Sequence, residues 1–126
     1  MCINRLPIKA DRSYLGGVIL PGLKMSMQAL ESGTSKLGSV EIVPVQTCLG
    51  RTTTSSIQSG LFYGHLGAMK EIIQRVTKEE FDGQHPRVVA TGGFASLFVD
   101  TGLFDEVVPD LVLRGLLCAL KTNDIV

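Results

Sequence analysis

Residues 52–80 read TTTSSIQSGLFYGHLGAMKEIIQRVTKEE, and their spacing predicts one long helix, Thr52–Glu80, with two different working faces. Ile57, Leu61, Leu66, Met69, Ile73 and Val76 recur at roughly helical spacing, an apolar stripe that calls for burial. Ser56, Gly60, Gly64 and Ala68 form a second row, strictly every four residues and almost without side chain. Glycine costs about 1 kcal/mol relative to alanine inside a helix, so two aligned glycines imply something backed closely against that face. A tight helix crossing in the core is one account. A subunit contact, or a helix start set against a ligand, is the other. Thr52, Thr53 and Thr54 supply hydroxyls where free N–H groups and the positive end of the helix dipole favour anions. A threonine in that place is ordinarily only a cap.

Working outward, 126 residues make one domain with room for a core. A hydrophobic content of 44% places the chain among globular proteins rather than disordered ones. Twelve basic and twelve acidic residues balance to zero net charge, which argues against a general binder of nucleic acid or anionic membrane. No apolar run is long enough to span a bilayer, and MCINRLPIKADRSY lacks the apolar core of a secretory signal. Cys2, Cys48 and Cys118 are odd in number and scattered, the pattern of reduced thiols in a cytoplasmic protein.

Before the long helix, residues 1–13 show no clear period and read as an irregular lead-in. Tyr14–Leu20 is a short apolar strand whose Gly16–Gly17 pair marks a bulge or a closely passing backbone. Leu23, Met27 and Leu30 give the next helix one buried face, and Gly33 stops it. Val40–Val45 contains Pro44 and is an edge strand or an extended connector. After the long helix, which ends by Asp82–Gly83, Arg87–Ala90 is a short buried strand. Phe94, Leu97 and Phe98 open another helix, residues 104–108 form a short strand, and Asp110 caps a last helix. Leu113, Leu116, Leu117 and Leu120 are its buried stripe, with Lys121 suited to its C-terminal dipole. The alternation is that of an α/β domain.

Thr91–Gly92–Gly93 lies between a buried strand and a helix, where open α/β folds bind ligands, although such a turn is more often only a tight connection. It is no phosphate loop, since neither GxxxxGK[ST] nor GxGxxG occurs. His65 reads as a packed or surface histidine, and His85 as an exposed turn residue. None of the twelve carboxylates ends a buried strand before a glycine-rich turn, as the magnesium ligands and base of a phosphotransferase would. On residues alone the chain has ligand-cradling turns and no catalytic residue or metal ligand.

Four blocks carry a family resemblance: LGGVILPGL (15–23), LGRTTTSSIQSGLFYGHLG (49–67), RVVATGGFASL (87–97) and PDLVLRGLL (109–117). Their order and spacing are similar to type III pantothenate kinases, a family also named Bvg accessory factor, from about Tyr14 to Asn123. The resemblance implies that residues 14–126 are the C-terminal domain of such a kinase. That domain is the second ribonuclease-H-like domain of an actin-like, sugar-kinase-type ATPase fold, here truncated at its N-terminal strands. Family members phosphorylate pantothenate with ATP, the first step towards coenzyme A, as homodimers using Mg²⁺ and a monovalent cation, potassium or ammonium. By the resemblance Thr91, Gly92 and Gly93 contact the nucleoside end of ATP, and Thr53 touches pantothenate of the neighbouring subunit. The small-residue row then has a dimer role.

This sequence departs from the family in lacking its N-terminal domain, its aspartate–glycine phosphate loop and the Gly-x-Asp-Arg segment of the catalytic base. INRLPIKADR stands where the second phosphate loop is expected. The resemblance therefore implies an inactive half whose partner is a second copy or the missing N-terminal half, with Tyr14–Leu20 left as an unpaired edge. A non-catalytic dimerisation or interaction remnant is the alternative. Regulatory DNA binding would borrow only from the accessory-factor name and conflicts with zero net charge.

Overall fold

A computed structural model describes residues 2–5, 7–33 and 37–123, for residues 2–5 in their backbone only. The Cys2 thiol and Asp124 lie outside the described residues. The chain divides into two compact units, Met1–His85 and Pro86–Val126, and its elements are mixed α and β, as the alternation predicts.

In the first unit, strand β1 (Cys2–Arg5) pairs antiparallel with β2 (Val18–Pro21) in the register Cys2↔Pro21 to Arg5↔Val18. The irregular lead-in expected over residues 1–13 is thereby corrected: β2 finds a partner inside it on one edge, while among the described residues its other edge stays unpaired, as expected. Between the strands Ile8 bridges Tyr14, and the Arg12 N–H donates to Lys9 O at 2.9 Å. The Ser13 hydroxyl and amide both donate to Asp11 and hold its carboxyl below the usual carboxylate range. Backbone pairing across a dozen residues leaves no local period, which is why the strand is invisible to pattern reading. Gly16, at φ +133°, takes a conformation that L side chains rarely adopt.

Helix α1 (Leu23–Gly33) comes directly after β2 and packs against α2 (Thr53–Glu80), burying Leu23 and Met27. Of the expected α2 stripe, Ile57, Leu61, Leu66 and Met69 are buried, while Ile73 and Val76 are only half-buried. Residues 37–50 form no strand, so Val40–Val45 is a connector. Side chains of α2 satisfy its carbonyls instead of a ladder. Gln58 donates to Glu41 O at 3.0 Å, Tyr63 to Val45 O at 3.1 Å, and the buried Ser59 hydroxyl to Cys48 O. Beyond Glu80 the chain stops the helix with Gly83 at φ +76°, its N–H donating back to Thr77 O at 3.1 Å.

The second unit holds β3 (Val89–Ala90) parallel to β4 (Glu106–Val107), joined through a 3-10 helix, Ala95–Thr101. Ala90, Ala95 and Phe98 are its buried residues. The strand expected over Arg87–Ala90 is shorter, and Val89 is exposed. Helix α3 (Leu111–Thr122) closes the chain but buries none of its residues. Leu113, Leu116, Leu117 and Leu120, expected in the core, are all exposed. An amphipathic period shows that a face suits burial and says nothing about whether the same unit supplies the cover. Asp110 occupies the cap position without a side-chain cap bond. Its carboxylate accepts from Arg114 at 2.9 Å instead, which holds Asp110 below the usual carboxylate range and raises Arg114.

Candidate functional site

The start of α2 separates the threonines by use. Thr52, extended at φ −129° and ψ 163°, accepts the Ser55 N–H on its hydroxyl at 3.1 Å. Ser55 Oγ accepts in return from the N–H groups of Thr52 at 2.9 Å and Arg51 at 3.0 Å, a reciprocal capping box. These two hydroxyls are spent on the helix end. Thr53, one residue on, makes no side-chain hydrogen bond among the described residues and stands on the rim of a cavity of about 940 Å³.

That cavity is an open groove of the first unit. Ser56, Gly60, Gly64 and Ala68 form one wall, Met25, Ala29 and Leu30 of α1 the other, and Ile57, Leu61 and His65 lie between them. The row of small residues was expected to have something backed against it. Nothing described in this chain does so: a Cβ built on Gly60 or Gly64 meets no atom within 4 Å. Gly60→Ala and Gly64→Ala are therefore each expected to raise the stability of α2 by up to about 1 kcal/mol, through helix propensity alone. A urea titration followed by helical ellipticity measures this, and a lowered midpoint would show the row to be covered.

Gly50 sets the segment leading into the helix. A Cβ there would overlap the Ser56 amide nitrogen, fall 2.5 Å from Ser56 Cα and 2.6 Å from the Ser55 carbonyl carbon. The available signal in the sequence was a glycine two residues before the capping threonine. His65 bears out the packed reading, and only its partners were not foreseen. Buried at the groove floor, it places Nδ1 2.7 Å from Leu61 O, and Nε2 3.1 Å from Pro21 O and 3.4 Å from Ser26 Oγ. Through these contacts the imidazole clips α2 to the β2–α1 turn.

In the second unit Thr91, Gly92 and Gly93 make the turn after β3. Gly92 has φ +94°, which requires glycine, and a Cβ on Gly93 would meet open space. The Thr91 hydroxyl donates to Pro109 O at 3.4 Å. The helix expected after the turn is a seven-residue 3-10 helix, Ala95–Thr101. Among the described residues no three of His, Cys, Asp and Glu are grouped to hold a metal ion, and no helix is long and apolar enough to cross a membrane.

The family model described as type III pantothenate kinase matches residues 3–75. The chain belongs to the type III pantothenate kinase family. It is 53% identical over 116 residues to the type III pantothenate kinase of Legionella pneumophila (strain Paris), across 92% of this chain and 45% of that one. Type III pantothenate kinase 1 of Francisella tularensis subsp. holarctica (strain OSU18) is 48% identical over 116 residues, across 92% of this chain and 45% of that one. The chain thus spans less than half the length of these family members. A solved structure of a Baf family protein from Campylobacter jejuni superposes with a TM-score of 0.66, covering 99% of this chain and 55% of that one. At 20% identity that likeness speaks for the fold alone.

Proposed function

We propose that residues 14–126 are the C-terminal domain of an ATP-dependent pantothenate kinase, the second ribonuclease-H-like domain of an actin-like fold, working in the cytoplasm. In this reading Thr53 binds pantothenate and Thr91, Gly92 and Gly93 receive the nucleoside end of ATP. The observation that carries it is the free Thr53 hydroxyl at a groove rim, while the nearby hydroxyls of Thr52 and Ser55 are spent on capping. In the reaction a pantothenate hydroxyl oxygen bonds to the γ-phosphorus of ATP as the bond to the ADP oxygen breaks, and a base takes the hydroxyl proton. Among the described residues no Asp or Glu lines the groove beside Thr53. The phosphate loops, the catalytic aspartate and the seats for Mg²⁺ and a monovalent cation belong to the further length of the family's kinases, on one polypeptide with this portion or on another.

The test is a coupled ADP assay on the full chain, alone and mixed with the remaining polypeptide of the Legionella kinase. The chain alone is expected to form no ADP above background, and the mixture to be active. In the mixture Thr53→Val should raise KM for pantothenate roughly tenfold, the value of one lost hydrogen bond, and leave KM for ATP unchanged. ADP formed by the lone chain would overturn the division of labour, and an unchanged pantothenate KM would remove Thr53 from the site. The open small-residue row favours a second reading, a non-catalytic module that pairs with another copy through α2. Dimerisation of the chain, with neither nucleotide binding nor activity on mixing, would be its signature.

A further inference from the structure

We infer that Ser59 is a positioning residue for pantothenate binding: it anchors the entry to α2, so that Thr53 keeps its hydroxyl at the groove rim. The inference rests on the reading of Thr53 as a pantothenate contact. Thr53 is the first residue of α2. The first turn of a helix has N–H groups without intrahelical partners, and helix ends fray. The Thr53 hydroxyl is in place only while that turn is formed, and a site formed for a fraction of the time binds more weakly by that fraction.

Of the side chains that tie the 37–50 segment to α2, Gln58 reaches Glu41 O through an exposed bond and Tyr63 reaches Val45 O. Ser59 reaches closest to the helix entry: its hydroxyl, on a residue only 5% exposed, donates to Cys48 O. A serine inside a helix commonly bonds back to the carbonyl four residues earlier. Ser59 gives its hydroxyl instead to a carbonyl eleven residues upstream, and burial makes that bond costly to lose. Only residues 49–51 stand between Cys48 and the capping Thr52. Within that run Gly50 lies closer to the Ser55 and Ser56 backbone than any Cβ could, and the Arg51 and Thr52 N–H groups both donate to Ser55 Oγ. Those cap bonds belong to the first turn and open with it. The Ser59 bond comes from the second turn, flanked by the buried Ile57 and Leu61, and so fixes the run from a part of the helix that does not fray.

Two measurements test this. In the lone chain, Ser59→Ala should speed amide exchange at Ser55 and Ser56, whose N–H groups bond Thr52, by about fivefold or more, and leave Leu66 and Met69 unchanged. In the active mixture with the remaining polypeptide of the Legionella kinase, Ser59→Ala should raise KM for pantothenate roughly fivefold, with kcat and KM for ATP unchanged. The rise stays below that of Thr53→Val, because a residue acting through Thr53 cannot cost more than Thr53 itself. Added to Thr53→Val, Ser59→Ala should bring no further rise. Gln58→Ala, which frees only the distant Glu41, should leave KM at the wild-type value. An active mixture in which Thr53→Val raises KM and Ser59→Ala does not overturns the inference and leaves the pantothenate reading standing. Additive effects in the double variant, or lost protection at Leu66 and Met69, would make the bond a general support of the unit and overturn it too. A wild-type mixture without activity, or an unchanged KM in Thr53→Val, removes the reading beneath and the inference with it.

Discussion

Gly50→Ala is expected to destabilise the first unit by about 3 kcal/mol, at the upper end of what one inserted methyl costs in a packed site. The atoms in the way are backbone: the Ser56 amide nitrogen and Cα, and the Ser55 carbonyl carbon. A flexible side chain could swing aside, but the first turn of α2 cannot move without breaking its own cap. Relief requires the 50–52 segment to lift off, taking with it the reciprocal bonds of Thr52 and Ser55. A lost cap costs about 1 kcal/mol by itself. Urea unfolding monitored at 222 nm reads mainly α2, since its 28 residues exceed those of α1 and α3 combined. The midpoint should fall with the slope unchanged. A midpoint equal to wild type would mean that the segment relaxes at no cost and that Gly50 is an ordinary turn residue. Gly60→Ala serves as the opposite control, being the same chemical change made into open space.

Leu61→Ala is expected to cost about 3 kcal/mol, within the range for truncating a buried leucine. Leu117→Ala should stay within about 0.5 kcal/mol of wild type in the isolated chain, as surface substitutions do. Both residues sit in leucine-bearing stripes of predicted helices, and pattern reading gives them equal standing. In the structure Leu61 is 4% exposed, on the face of α2 that meets α1, and Leu117 is 46% exposed on a helix with no cover. The pair is measured on one urea series for each variant. Equal losses at the two positions would show that α3 is packed within this chain.

Local pattern made the helices legible and left the lead-in strand hidden. The α2 stripe repeats over many turns, and its start carries hydroxyls suited to capping, so the predicted and observed bounds differ by one residue. The Cys2–Arg5 strand depends on hydrogen bonds to residues more than a dozen positions away, and no nearby residue announces them. The candidate site divides in the same way. Thr53 and the Thr91–Gly93 turn were chosen by resemblance and by position between elements. That Thr53 keeps its hydroxyl free, while Thr52 does not, is visible only in the geometry of the cap. His65 shows the limit from the other side: its burial fits a packed histidine, but the groups around its ring, Leu61 O, Pro21 O and Ser26 Oγ, come from two separate segments.

What the sequence alone determined is the set of helices, the mixed α/β character and the family, because periodicity, capping residues and motif order are properties of neighbours along the chain. Tertiary structure decided which apolar faces are covered, which glycine is forced by contact and which threonine is left free. Those depend on what stands across from a residue in space. Two apolar stripes thus end as the floor of a groove on α2 and as an exposed surface on α3.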